Sequence, residues 1–200
     1  MPYYVRVLST ASAALSTESI QSAVKSESLT AELEVSSSRF GGDWDQVVVS
    51  DADRPICCID RVVGEVAREL LEELASEIEG CEPASAALWL LSYLKKIKTI
   101  YSIQVLRGAH ENNGWDLIEA IQIEICGFAP AITQADNEGY YNEDGFQVLW
   151  QFVEDQEGWW WVAVLRNEKW VTVRIDLGNS VHREAFLRGE VPPGVVPGKP

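Results

Sequence analysis

Histidine is nearly absent: the 200 residues hold two, His110 and His182, far apart and in no ligand-spaced motif. Cysteine is sparse as well. Cys57, Cys58, Cys81 and Cys126 contain no C-x-x-C pair. Protein zinc sites draw on clustered Cys and His, so neither a metal nor another cofactor is expected. Four thiols without a framework spacing read as structural thiols of a reducing compartment. Basic residues are outnumbered, 16 against 31 acids, for a net charge of -15. Such a field repels phosphate backbones and anionic bilayers, which argues against nucleic-acid and membrane partners. No apolar run approaches the roughly 20 residues of a membrane helix. The N-terminus has one Arg and no long apolar core, so no signal peptide is read there and a cytoplasmic location is the default. No G-x-S-x-G elbow, no G-x-x-x-x-G-K-[ST] loop and no G-x-G-x-x-G turn occurs.

Tryptophan is abundant by contrast. Five of the eight lie within residues 146–177: Trp150, Trp159, Trp160, Trp161 and Trp170. The stretch reads FQVLWQFV, EDQEG, WWWVAVLR, NEK, WVTVRIDL. Apolar residues alternate with polar ones in the first and third runs, the period of a half-buried strand. The middle run is apolar on both faces, as a central strand would be. With turns at 154–158 and 167–169, the expectation is a three-stranded antiparallel meander. Its Trp residues read mainly as packing. Trp159 and Trp161, on one side, could stack a sugar or a base, and the acidic charge disfavours the base. Carbohydrate or peptide recognition is the minority reading.

Upstream, residues 3–9, 29–36, 45–50, 55–61 and 99–106 read as strands, with turns at 36–42 and 51–54. Leu29, Ala31, Leu33 and Val35 form the expected inner face of the second strand. Ser16 is a candidate N-cap for a helix over 17–26. Residues 64–80 carry an apolar stripe, Val66, Leu70, Leu71, Leu74 and Ile78, with Gly80 as the stop. A second helix opens at Pro83. Residues 114–125 fit both periods, and the Asn113/Asp116 spacing of a capping box favours helix. A strand at 131–134 and a short helix over 182–188 follow. The Pro- and Gly-rich end is extended or disordered. The class is therefore α+β: a largely antiparallel sheet, a C-terminal Trp-rich meander and a central helical pair packed on the sheet. The expected divisions are 1–108, 109–190 and a tail at 191–200, or one domain.

Two places carry charge in a pattern. Glu65, Glu69, Glu73 and Glu77 recur every four residues along the 64–80 helix. Like charges at that spacing repel mildly, so the stripe is either a solvated face or a dock for a basic partner. The loop 134–145 gathers Asp136, Glu138, Tyr140, Tyr141 and Glu143. It lacks the alternating acids of an EF-hand, and serves as an acidic entry loop or a recognition loop. The favoured reading is a non-enzymatic, acidic intracellular protein that binds another protein, as an inhibitor, immunity or adaptor protein does. The alternative is a small-ligand-binding or hydrolase-like domain using the carboxylates of 134–145 near a cleft walled by Trp or Tyr. A third is a homo-oligomer joined through exposed aromatics.

Overall fold

The elements follow in the order β1 (Tyr3–Ser9), α1 (Thr17–Glu27), β2 (Ala31–Ser38), β3 (Trp44–Asp51), β4 (Arg54–Val63), α2 (Gly64–Ile78), α3 (Ala84–Leu94), β5 (Thr99–Val105), α4 (Gly114–Phe128), β6 (Ala131–Ala135), β7 (Gly139–Tyr141), β8 (Trp159–Arg166), β9 (Lys169–Asp176) and α5 (Ser180–Leu187). This is an α+β chain, as the periodicities predict. The computed structural model describes residues 2–38, 43–152 and 156–198. Two units are distinguished: Met1–Glu69 with Ile97–Asp136, and Leu70–Lys96 with Asn137–Pro200.

In the first unit β2-β3-β4-β5-β1-β6 lie side by side in an antiparallel sheet. Because facing residues share a face, the register sets Val47, Ile59, Ile103, Val5 and Ala135 in one row across five strands. All five are buried. Helix α4 packs on β1, β4 and β6, and α1 packs on α4. Ser16 caps α1 by accepting the Ser19 N–H at 3.1 Å, and Ile20 and Val24 are buried. The helical reading of 114–125 holds, with Leu117, Ile118, Ile121 and Ile125 buried. The capping box does not: Asn113 makes no side-chain cap and donates instead to the Glu27 carbonyl at 3.4 Å. The expected inner face of β2 is only partly realised. Ala31 is buried, but Leu29 is 90% exposed and Val35 is exposed. β2 is the outermost strand of this sheet, and its register shifts after Val35, so little covers its far end.

Helix α2 forms where the apolar stripe predicts. Its buried positions are Ala67, Leu74 and Ile78, whereas Val66 points outward and is exposed. In the second unit α3 packs against β8. Trp89 stacks on Tyr93 with centroids 4.8 Å apart and meets Trp170 edge-on at 4.9 Å. Strands β8 and β9 form a hairpin whose turn residues, Asn167 and Glu168, both have positive φ, 49° and 62°. One face of the hairpin contributes Val162, Val164, Val173 and Ile175 to a core completed by Leu177 and Phe186. Val191 and Val195 pack against that core, and Gly198 donates to the Thr172 carbonyl at 3.0 Å.

The three-stranded meander is not what forms. Two of its runs become β8 and β9, while residues 146–152 make no regular strand. Gln147 alone bridges Tyr141 on one side, antiparallel, and Val162 on the other, parallel. Two other bonds draw the run away from β8. Val148 N–H donates to Tyr140 at 3.0 Å, and Trp150 N–H donates to Glu82 at 2.7 Å. The turn expected at 154–158 lies partly outside the described residues, as does the turn at 36–42.

Candidate functional site

Tyr140 is the fixed point of the predicted recognition loop. It is 1% exposed, and its hydroxyl donates to the Leu74 carbonyl at 3.3 Å. Its N–H donates to Oε1 of Gln151 at 3.0 Å. The adjacent Gly139, at φ 96°, lets that amide approach closely: a Cβ there would lie 1.7 Å from Gln151 Oε1. Gln147 braces the same segment from its other end by donating through Nε2 to the Glu138 carbonyl at 3.1 Å. Asn142 closes the loop, its Oδ1 accepting from Asp144 N–H at 3.2 Å and Phe146 N–H at 2.9 Å. Buried polar groups must be bonded. That requirement explains why the polar alternates of 146–152 serve the loop rather than a solvent face.

This bracing leaves a cleft of about 390 Å³ within the second unit. Its described lining is Asn137, Glu138, Tyr141, Gln147, Gln151, Phe152, Gln156 and Trp160. The volume is in the range of small-molecule sites. Trp160 is 41% exposed and meets Phe152 at 5.4 Å and 60°. It lies at the rim of the hairpin's core-facing side, two residues before the buried Val162. The Tyr141 hydroxyl is pushed up to about 12 by burial, then by the charge of Glu138 and by the hydrogen bond it donates to that carboxylate. Tyr141 therefore stays a neutral donor across ordinary pH.

The other predicted residues are placed elsewhere. Asp136 belongs to the first unit, where it pairs with Arg6 and accepts the Tyr4 N–H at 3.0 Å. It locks β1 to the end of β6. Glu143 is exposed and does not line the cleft. Glu65, Glu69, Glu73 and Glu77 are all exposed along α2, and Arg68 meets Glu65 at 2.7 Å. Among the described residues, no three His, Cys, Asp or Glu side chains converge as metal ligands would. All four Cys are free, and burial pushes the Cys57 thiol well up.

Comparison with family models, curated proteins and solved structures finds no match. The functional reading therefore rests on this chain's own chemistry. Sequence reasoning singled out Glu138 and Tyr141. It missed Gln147 and Gln151, because a glutamine in an alternating run reads as an outward strand position, and it read Phe152 as strand packing and residue 156 only as part of the 154–158 turn. It named Trp159 and Trp161 as residues that could stack a ligand, and the Trp among the described lining residues is Trp160.

Proposed function

We propose that this chain is a binding module that holds a small polar ligand in the second-unit cleft. The observation that carries the reading is the convergence of Glu138 and Tyr141 with Trp160 and three glutamines around one concavity. A few placed polar groups beside an aromatic wall are the usual makeup of a ligand site. Glu138 is the one carboxylate among the described lining residues. Four unbridged thiols fit work in the reducing cytoplasm. The test is a screen of the intact chain by side-chain amide NMR against mixed neutral, cationic and anionic small molecules. A ligand of this cleft shifts the amide signals of Gln147, Gln151 and Gln156 together. The reading fails when no compound in the screen does so.

A second reading is favoured by the exposure of all four α2 glutamates: a protein partner with a basic face docks on that helix. Electrostatic steering would then make association fast and salt-dependent. With a purified partner in hand, Glu69→Lys with Glu73→Lys should slow association at least tenfold at low salt. An unchanged rate removes this reading.

A further inference from the structure

We infer that the ligand of the cleft is a neutral saccharide. This rests on the reading of the cleft as a ligand site and names the chemistry it selects. Three features carry the assignment.

The first is charge. Glu138 is the only charged residue among the described lining residues. No Arg, Lys or His stands there to meet a phosphate, sulfate or carboxylate, and an anion would face Glu138 directly. The second is the mixture of donors and acceptors. A primary amide donates through its nitrogen and accepts through its oxygen. Gln151 has its Oε1 engaged by Tyr140 N–H, so Nε2 remains for the cleft. Gln147 has its Nε2 engaged by the Glu138 carbonyl, so Oε1 remains. Two braced amides of opposite polarity suit groups that both donate and accept, and a hydroxyl is such a group. Asn137 and Gln156 add further amides at the rim. The third is the wall. Phe152 meets the Trp160 ring at 5.4 Å and helps fix its orientation, while Trp160 keeps 41% of its surface in solvent. An aromatic face carries negative quadrupole charge and attracts C–H edges.

A pyranose ring satisfies all three at once. Its C–H face lies on an aromatic ring, and its equatorial hydroxyls present both polarities to amides and to a carboxylate. A nucleoside also offers a ring face together with donors and acceptors, so adenosine is the comparison that separates the two. A cationic amine would use Glu138, the wall and an amide oxygen, but as a donor only it offers no acceptor to the Gln151 amide nitrogen.

The experiment is titration of the full chain with glucose, galactose, N-acetylglucosamine, maltose and cellobiose. It is followed by calorimetry and by the Gln side-chain amide signals, with adenosine, spermidine and inorganic phosphate as comparison probes. The expected result is that at least one sugar binds with a Kd on the order of 1 mM or tighter, as suits an open site. Trp160→Ala should weaken that binding at least tenfold, and Gln156→Ala about threefold to tenfold. Among the described residues no side-chain hydrogen bond joins Gln156 to the fold, so its variant keeps the test decisive where Trp160→Ala fails to fold. The saccharide assignment is overturned when no sugar binds, or when sugar binding is indifferent to both substitutions. If adenosine or spermidine shifts the three glutamine amides while every sugar is silent, the ligand cleft stands and the saccharide falls. If no probe shifts them, both fall.

Discussion

Gly139→Ala tests the bracing that creates the cleft. Gly139 has φ 96°, where an L-residue is strained, and its added Cβ would sit 1.7 Å from Oε1 and 2.3 Å from Cδ of Gln151. Strain of this kind costs about 1–2 kcal/mol. The Gln151 side chain must also swing away and release the Tyr140 N–H it now accepts at 3.0 Å. Losing a partner for a buried donor costs about 1–3 kcal/mol. The sum is about 2–5 kcal/mol, a large share of a typical domain's stability. Gly145→Ala is the internal control. It has φ 78° and open space around its Cβ position, so only the strain of about 1–2 kcal/mol applies. The assay is urea unfolding followed by Trp fluorescence. Trp89, Trp150, Trp159, Trp160, Trp161 and Trp170 all belong to the second unit, so the signal reports chiefly on it. On a Gln151→Ala background the Oε1 and Cδ contacts are gone and only the residue-151 Cβ, 3.1 Å from the added Cβ, remains, so Gly139→Ala should cost little more than Gly145→Ala does. A double-mutant cycle that is additive within about 0.5 kcal/mol would refute the steric argument. So would equal costs for the two glycine variants in the wild-type background.

Three further outcomes follow from single features. Glu168→Gly should stabilise the second unit by about 0.5–1 kcal/mol, because the β8–β9 turn holds Glu168 at φ 62°, where glycine is favoured. Unchanged or reduced stability in urea unfolding contradicts this. Asp51 is held below the usual carboxylate range by hydrogen bonds from Thr30 and Ser28, with Arg54 adding to them against the opposing effect of burial. A depressed folded-state value gives stability that is present above the unfolded value of about 3.9 and is lost as pH falls through the folded one. Between pH 6 and pH 2.5, Asp51→Asn should therefore lose less of its urea midpoint than the wild type does. A parallel decline of the two proteins would show that Asp51 contributes none of the acid sensitivity. An alkaline absorbance titration should show one tyrosine that ionises near 12 and disappears in Tyr141→Phe. The stability it contributes is present below about pH 10 and is lost as pH rises through about 12.

Local patterns were the legible part of this chain. β1, α1, β3, β4, α2, β5 and α4 all stand near where their periods and caps place them. Each buries a stripe that repeats at its own helical or strand spacing, so short windows contain the signal. The Asp51–Arg54 turn and the Asn167–Lys169 turn were legible for the same reason. The misreadings share a cause. Leu29 and Val35 alternate correctly, yet β2 is an outer strand with little to cover them. Val66 continues the α2 stripe, yet Ala67 is the residue buried. Asn113 has the spacing of a cap, yet Glu27, 86 positions away, takes its amide. Phe146, Val148, Trp150 and Phe152 alternate as a strand would, yet Tyr140 and Glu82 take the backbone donors of Val148 and Trp150. In each case the deciding partner is distant in sequence.

The candidate site divides along the same line. Sequence alone determined that two acidic groupings exist, that Glu138 and Tyr141 stand together, and that Trp dominates residues 146–177. Charge and composition are sums over residues and need no fold. Only the tertiary structure decided which of these groups meet. It drew Asp136 to Arg6, buried Tyr140 beneath Leu74, left Glu143 in solvent, and set Gln147, Gln151 and Gln156 beside Trp160. The physical reason is hydrogen-bond satisfaction at long range. A glutamine side chain spends one end on a distant backbone group and keeps the other, and no local window shows which end that is.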